Sequence, residues 1–253
     1  MFVRGTVHYT GELRPVVLSA STFTGSAAPV TATDVSCDGT HVQVVVRLGR
    51  VESHAAAVLA ADNEVSRVWG AMLVTLADCF SSASHLTREA VHLEPEPRPG
   101  VLVVPAASMA LTAGVPTITV TPSPDAVIRT KALAATPSWC PSANAAYERY
   151  ASALNESDPA LQFLALYQTA ILALTGIARE PRQKDLDARL QAFDPSIPTL
   201  PVDERNPPET PFTRARNQLV HPLDRGVPAD QARTYAANQL WTFRQVVAAL
   251  VRR

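Results

Sequence analysis

Residues 142–176 read SANAAYERYASALNESDPALQFLALYQTAILALTG, and the spacing of their apolar side chains decides the fold class of the second half of the chain. Ala143, Ala146, Tyr147, Tyr150, Ala151 and Leu154 recur at i, i+3, i+4 and i+7, which predicts a helix with one buried face. Ser142 is placed to cap it. Asp158-Pro159 then opens a second helix: aspartate accepts the free amide hydrogens of a first turn, and proline has no N–H to lose there. That helix is expected to run to about Gly176. The stretch from Leu161 to Ile177 is the most apolar in the chain, but Gln162, Gln168 and Thr169 interrupt it. A membrane helix needs about 18 uninterrupted apolar residues, so this stretch reads as a core helix.

Downstream, a shorter helix is expected over Gln183 to Phe193, after which Pro195, Pro198, Pro201, Pro207 and Pro208 prevent regular structure. Thr210-Pro211 repeats the cap-then-proline start, and Pro222 stops that helix directly after His221. The last helix opens near Pro228 and places Ala232, Tyr235, Ala236, Leu240, Phe243, Val247 and Leu250 on one face. Helices joined by short or proline-rich connections predict an all-α helical bundle over residues 142–253.

Upstream the period changes. Phe2 to Tyr9, Val16 to Ser21, His41 to Leu48 and Ile118 to Thr121 are short β-branched runs bounded by turn residues, expected as strands of a small sheet. Between them, Ser53 to Phe80 has helical spacing through Val58, Val65, Val68, Trp69, Met72, Leu73 and Leu76, with Asp62-Asn63-Glu64 as an exposed turn or a break. Residues 1–136 therefore read as an α+β domain of unknown role. Pro95, Pro97, Pro99, Pro122 and Pro124 end stretches within it, and Pro137 and Pro141 flank the change of character, placing the boundary between 132 and 142.

A chain of 253 residues, 47% hydrophobic and 18% charged, is long enough for two small domains and too apolar for disorder, collagen or coiled coil. Its 22 basic and 23 acidic residues leave a net charge of −1, so attraction to a polyanion would need a local patch. Cys37, Cys79 and Cys140 are odd in number and far apart, which argues against a disulfide framework or a zinc site of ordinary spacing and for a reducing cytoplasm. No N-terminal leader pattern is read in Met1 to Gly5. The expectation is a soluble globular protein with no membrane partner.

One motif carries chemistry. The third bundle helix reads TPFTRARNQLVHP over 210–222. Asn217 and His221 are four apart, about 40° around a helix, and share a face, whereas Arg216 lies about 140° from His221. Cleavage of RNA through its 2′-OH needs a base, an acid and a cation for the phosphate; imidazole serves as the first two near neutral pH and a guanidinium as the third, without a metal or other cofactor.

Arg216-Asn217, three further residues and His221 resemble the R-N-x-x-x-H signature of HEPN domains, all-helical modules of many ribonuclease toxins and defence proteins. The long upstream helix through Phe163, Tyr167 and Gln168, the proline after the motif and the closing helix are similar too, so the resemblance spans about residues 142–253. It implies Arg216 and His221 as catalytic residues with Asn217 assisting, a homodimer in which both motifs line one cleft, RNA or a nucleotide as ligand, and an antitoxin or regulatory partner. Family nucleases often add an acidic or polar residue from an earlier helix, where this chain offers Gln168, Thr169 and the more distant Glu180. The N-terminal part bears only a loose similarity to proteins labelled methylamine-utilisation protein J.

Alternatives stand beside each reading. His221 also suits the negative end of a helix dipole, and the bundle would equally serve as a non-catalytic RNA- or nucleotide-binding module or as a dimerisation platform. His8, His41, His54, His85 and His92 are scattered, none at the i, i+4 spacing of a helical metal site. Neither G-x-G-x-x-G nor a Walker loop occurs, and Ser81, Ser82 and Ser84 lack a nucleophile-elbow context. Tyr147, Tyr150 and Tyr167 read as core rather than base-stacking residues, and Arg233, Arg244, Arg252 and Arg253 as a basic end to the last helix.

Overall fold

The computed structural model describes residues 2–95, 119–176, 183–202, 208–222 and 226–253. The chain divides into two compact units, one of residues up to Ala71 with Cys79–Trp139, the other of Met72–Asp78 with Cys140–Arg253. The division after Trp139 falls within the stretch bounded by Pro137 and Pro141. Residues 72–78 cluster with the helices of the second unit, so the first is not the unbroken span 1–136.

The first unit is built on an antiparallel sheet of β1 (Val3–Arg14), β2 (Val17–Thr24), β3 (Val30–Asp38), β4 (His41–Val51), β5 (Ser82–Ala83) and β6 (Thr87–Pro95). The order is β2-β3-β4-β1-β5, with β6 also paired to β1. On β1, Val3, Val7, Tyr9 and Leu13 are buried while Arg4, Thr6, His8 and Thr10 between them are not, the alternation of a sheet with one covered face. Helix α1 (His54–Thr75) supplies part of the cover: Tyr9 donates to Asp62 Oδ1 at 2.7 Å, and Arg88 Nη1 lies 2.9 Å from both oxygens of that carboxylate. Asp62, Asn63 and Glu64 thus form no turn or break. The polar residues are held instead, since Glu64 is buried and accepts from Ser26 at 2.5 Å and from Arg67 Nη2 at 3.1 Å.

Strands β3 and β6 were not expected. β3 buries Thr33, Val35 and Cys37 in alternation, but with Thr31, Thr33, Asp34 and Ser36 among its residues it is not a β-branched apolar run, and β6 is an edge strand whose Thr87, Arg88, Glu89, His92 and Glu94 are exposed. Around Ile118 to Thr121, the described part forms only a parallel bridge from Val120 to Val16. Pro124 starts a helix rather than ending a stretch: in α2 (Pro124–Ala135) Ser123 caps the Ala126 amide and proline occupies the first turn.

The second unit holds α3 (Ala145–Leu154), α4 (Pro159–Thr175), α5 (Gln183–Phe193), α6 (Pro211–Val220) and α7 (Ala229–Val251). The only β pairing among its described residues is a single bridge between Leu200 and Glu209. Asp158 caps α4 by accepting from Ala160 and Leu161, and Gly176 closes it in the left-handed region at φ 69°. Asn144, not Ser142, caps α3, because a short 3-10 turn over Pro141–Ala143 delays the helix start. Phe243 of α7 stacks on Phe212 of α6 at 4.4 Å and packs 4.9 Å from Phe163 of α4. Tyr147, Tyr150 and Tyr167 are buried. The arginines of α7 are not one basic end: Arg233 pairs with Asp158 at 2.5 Å, Arg244 is buried with Nη2 donating to the Ala77 carbonyl, and Arg253 lies over the Phe193 ring. Among the described residues no helix is long and apolar enough to cross a membrane.

Candidate functional site

The site forms around α6. Thr210 accepts from the Thr213 amide as N-cap, which fixes the first turn against Pro211. The hydroxyls of Thr210 and Thr213 both donate to Oδ1 of Asp187 on α5, at 2.7 and 2.6 Å, and the Thr213 hydroxyl lies 3.1 Å from that of Tyr167 on α4. Asp187 is buried, and its Oδ2 has no hydrogen-bond partner among the described residues. Burial pushes this carboxyl above its ordinary range, against the opposing effect of the two threonine hydroxyls.

One residue before the cap, Glu209 is wholly buried, and its backbone exchanges two hydrogen bonds with Leu200. Its carboxylate accepts from Arg214 Nε at 3.0 Å on one oxygen, and from Gln183 at 3.2 Å and Asn217 at 3.1 Å on the other. The Asn217 amide donates also to Gln183 Oε1 at 2.9 Å, while its own Oδ1 accepts from Arg216 Nη1 at 3.1 Å. Arg214 reaches the Pro201 carbonyl as well. Glu209 thus holds an arginine and two amides within one buried network, and Asn217 links that network to Arg216.

At the helix end His221 is exposed, and its N–H caps the Asn217 carbonyl at 2.8 Å. Its backbone, φ −126° and ψ 55°, has left the helix, as a residue before proline is driven to do. The angular count that put Asn217 and His221 on one face does not apply to a residue outside the helix. Asn217 is buried while His221 is exposed. Arg216 and Asn217 are in contact, and His221 joins Asn217 through the backbone.

The acidic residues that accompany the motif are Glu209 and Asp187, neither of them singled out by the sequence. Glu209 stands among prolines and Asp187 on a polar helix, so only the fold joins them to Asn217 and Thr213. Gln168 is half-buried, and Thr169 turns its hydroxyl to the Ala165 carbonyl of its own helix. Glu180 lies outside the described residues. Among the described residues no group of three or more His, Cys, Asp or Glu side chains is placed to hold a metal ion.

Elsewhere the sheet joins two histidines that sequence spacing kept apart: the rings of His8 and His92 lie 5.1 Å apart and perpendicular. Cys37 and Cys79 are buried and Cys140 is exposed. No protein-family model matches the chain, and comparison with curated proteins and with solved structures finds no significant relative.

Proposed function

We propose that the helical unit is a HEPN-type endoribonuclease that needs no metal and acts as a dimer on RNA. The observation that carries this reading is the pairing of Arg216 with Asn217, itself fixed by buried Glu209, at the end of α6 where His221 is exposed. In this reading Arg216 binds the phosphate, His221 exchanges protons with the ribose 2′-OH or the leaving 5′ oxygen, and Asn217 holds Arg216 in place. Two copies bring their α6 ends to one cleft, so that the guanidinium of one serves with the imidazole of the other. A cytoplasmic toxin or defence role, restrained by an antitoxin or regulatory partner, follows from the same resemblance.

One observation favours a second reading, a non-catalytic RNA- or nucleotide-binding module. Both amide hydrogens and the carbonyl oxygen of Asn217 are engaged inside the protein, by Glu209, Gln183 and Arg216, as a structural residue's would be. The experiment that separates the two is incubation of the purified chain with total RNA in EDTA, beside His221→Ala. Products that depend on His221 support the nuclease. RNA affinity that falls with salt and with Arg216→Ala, without product at any protein concentration, supports the binding module.

A further inference from the structure

We propose that His8 and His92 form a two-imidazole site for a divalent transition-metal cation of the zinc and copper type, on the outer face of the sheet. The register makes the pair. In the β1–β6 ladder Thr6 faces His92 and His8 faces Ala90, so the histidines are diagonal neighbours, and long side chains on such a diagonal meet. They lie on the face away from Tyr9, Val7 and Val3, where His8 is half-buried and His92 exposed. Gly5 lets the strands approach, because a Cβ there would run into the His92 carbonyl.

The ring separation fits a shared ion. Two imidazoles each bound through one nitrogen to a tetrahedral Zn²⁺, at about 2.0–2.1 Å, place their ring centres about 5 Å apart. The observed separation is 5.1 Å with the ring planes perpendicular, and a turn of the exposed His92 ring about its own χ2 brings its nitrogen to face the shared ion. Nε2 of His8 lies 3.0 Å from the Thr6 hydroxyl, so a tautomer that donates Nε2–H to Thr6 leaves Nδ1 with the lone pair. Metal-bound histidines are held in that way, by a partner on the second nitrogen.

The surrounding charges are few. Glu94 stands opposite Arg4, and Arg47, opposite Thr6, pairs with Asp34 at 2.5 Å. With two protein ligands the ion keeps water in its remaining positions, which describes a weak, exchangeable site. Imidazole ligands select copper, nickel and zinc over magnesium or calcium.

The test is titration of the tag-free full chain with ZnCl₂ by calorimetry at neutral pH, repeated with MgCl₂. The expected result is one Zn²⁺ per chain, lost in both His8→Asn and His92→Asn, kept in His41→Asn, and absent with Mg²⁺. Thr6→Val should weaken it by about 10–100-fold. The far-ultraviolet circular dichroism of each variant establishes that it is folded, and line broadening of the His8 and His92 ring resonances by Cu²⁺ locates the ion in the unaltered chain. Binding retained in either histidine variant, broadening confined to other histidines, or no saturable binding at millimolar Zn²⁺ would overturn the proposal.

Discussion

The carboxylate of Glu209 accepts the Asn217 amide at 3.1 Å across the first two turns of α6, and both groups are buried. A charge placed there has left water, and Arg214, Gln183 and Asn217 are the donors that compensate it. Removing the acceptor strands three donors at once. Glu209→Ala should therefore cost about 3–5 kcal/mol in urea unfolding, the range for breaking a buried pair by removing one partner. Glu209→Gln keeps one acceptor oxygen and should cost less. A loss below about 1 kcal/mol in the alanine variant would mean that the network contributes little.

Asp187 sets a pH dependence whose sign can be worked out. Burial raises its folded-state carboxyl above the ordinary value of 3.8, so between the two values the folded chain holds a proton that the unfolded chain has released. Stability contributed by this group is fully present below 3.8 and is lost as pH rises through the folded-state value. Asp187→Asn removes the titration. The difference in melting temperature between the native chain and this variant should shift against the native chain as pH rises above 3.8, and a constant difference across the acid range would contradict the assignment.

Phe243 sits where α4, α6 and α7 converge, fully buried against Phe212 and Phe163, with Tyr167 at 6.1 Å. Truncation leaves a cavity lined by three rings that the helix backbones hold apart. Phe243→Ala should cost about 3–5 kcal/mol, whereas Phe243→Leu should recover much of it by keeping volume. Chemical denaturation measures both, and equal stability of the two variants would place Phe243 outside the core.

The helices were legible because their ends are written locally. Asp158-Pro159, Thr210-Pro211 and Pro222 each act on the neighbouring backbone, and the structure starts α4 and α6 at the first two and ends α6 just before the third. The sheet was half legible. β6 depends on pairing with β1, which no local pattern encodes, and its exposed Arg88, Glu89, His92 and Glu94 give it no apolar run to mark it. The site follows the same division. Arg216, Asn217 and His221 stand in one short run, but of the residues that satisfy Asn217, Glu209 lies 8 positions before it outside the helix and Gln183 lies 34 positions before it on another helix, so tertiary packing sets them.

A nuclease using imidazole and guanidinium groups works through attack of the ribose 2′-OH, so its products should end in 2′,3′-cyclic phosphate and its activity should persist in EDTA. His221→Ala should lower the rate about 10²–10⁴-fold, the usual contribution of a positioned acid or base, with an unchanged melting temperature because the side chain is exposed. Arg216→Lys should also fail, since an ammonium lacks the planar fork that binds two phosphate oxygens. Asn217→Ala differs from both in lowering stability as well as rate, because it uncouples Arg216 from Glu209. If the cleft is shared between two copies, mixing Arg216→Ala with His221→Ala protein should restore cleavage, as one composite pair remains intact in the mixed dimer. Activity lost in EDTA and regained with magnesium would refute the metal-free mechanism, and mixed variants as inactive as either alone would refute the shared cleft.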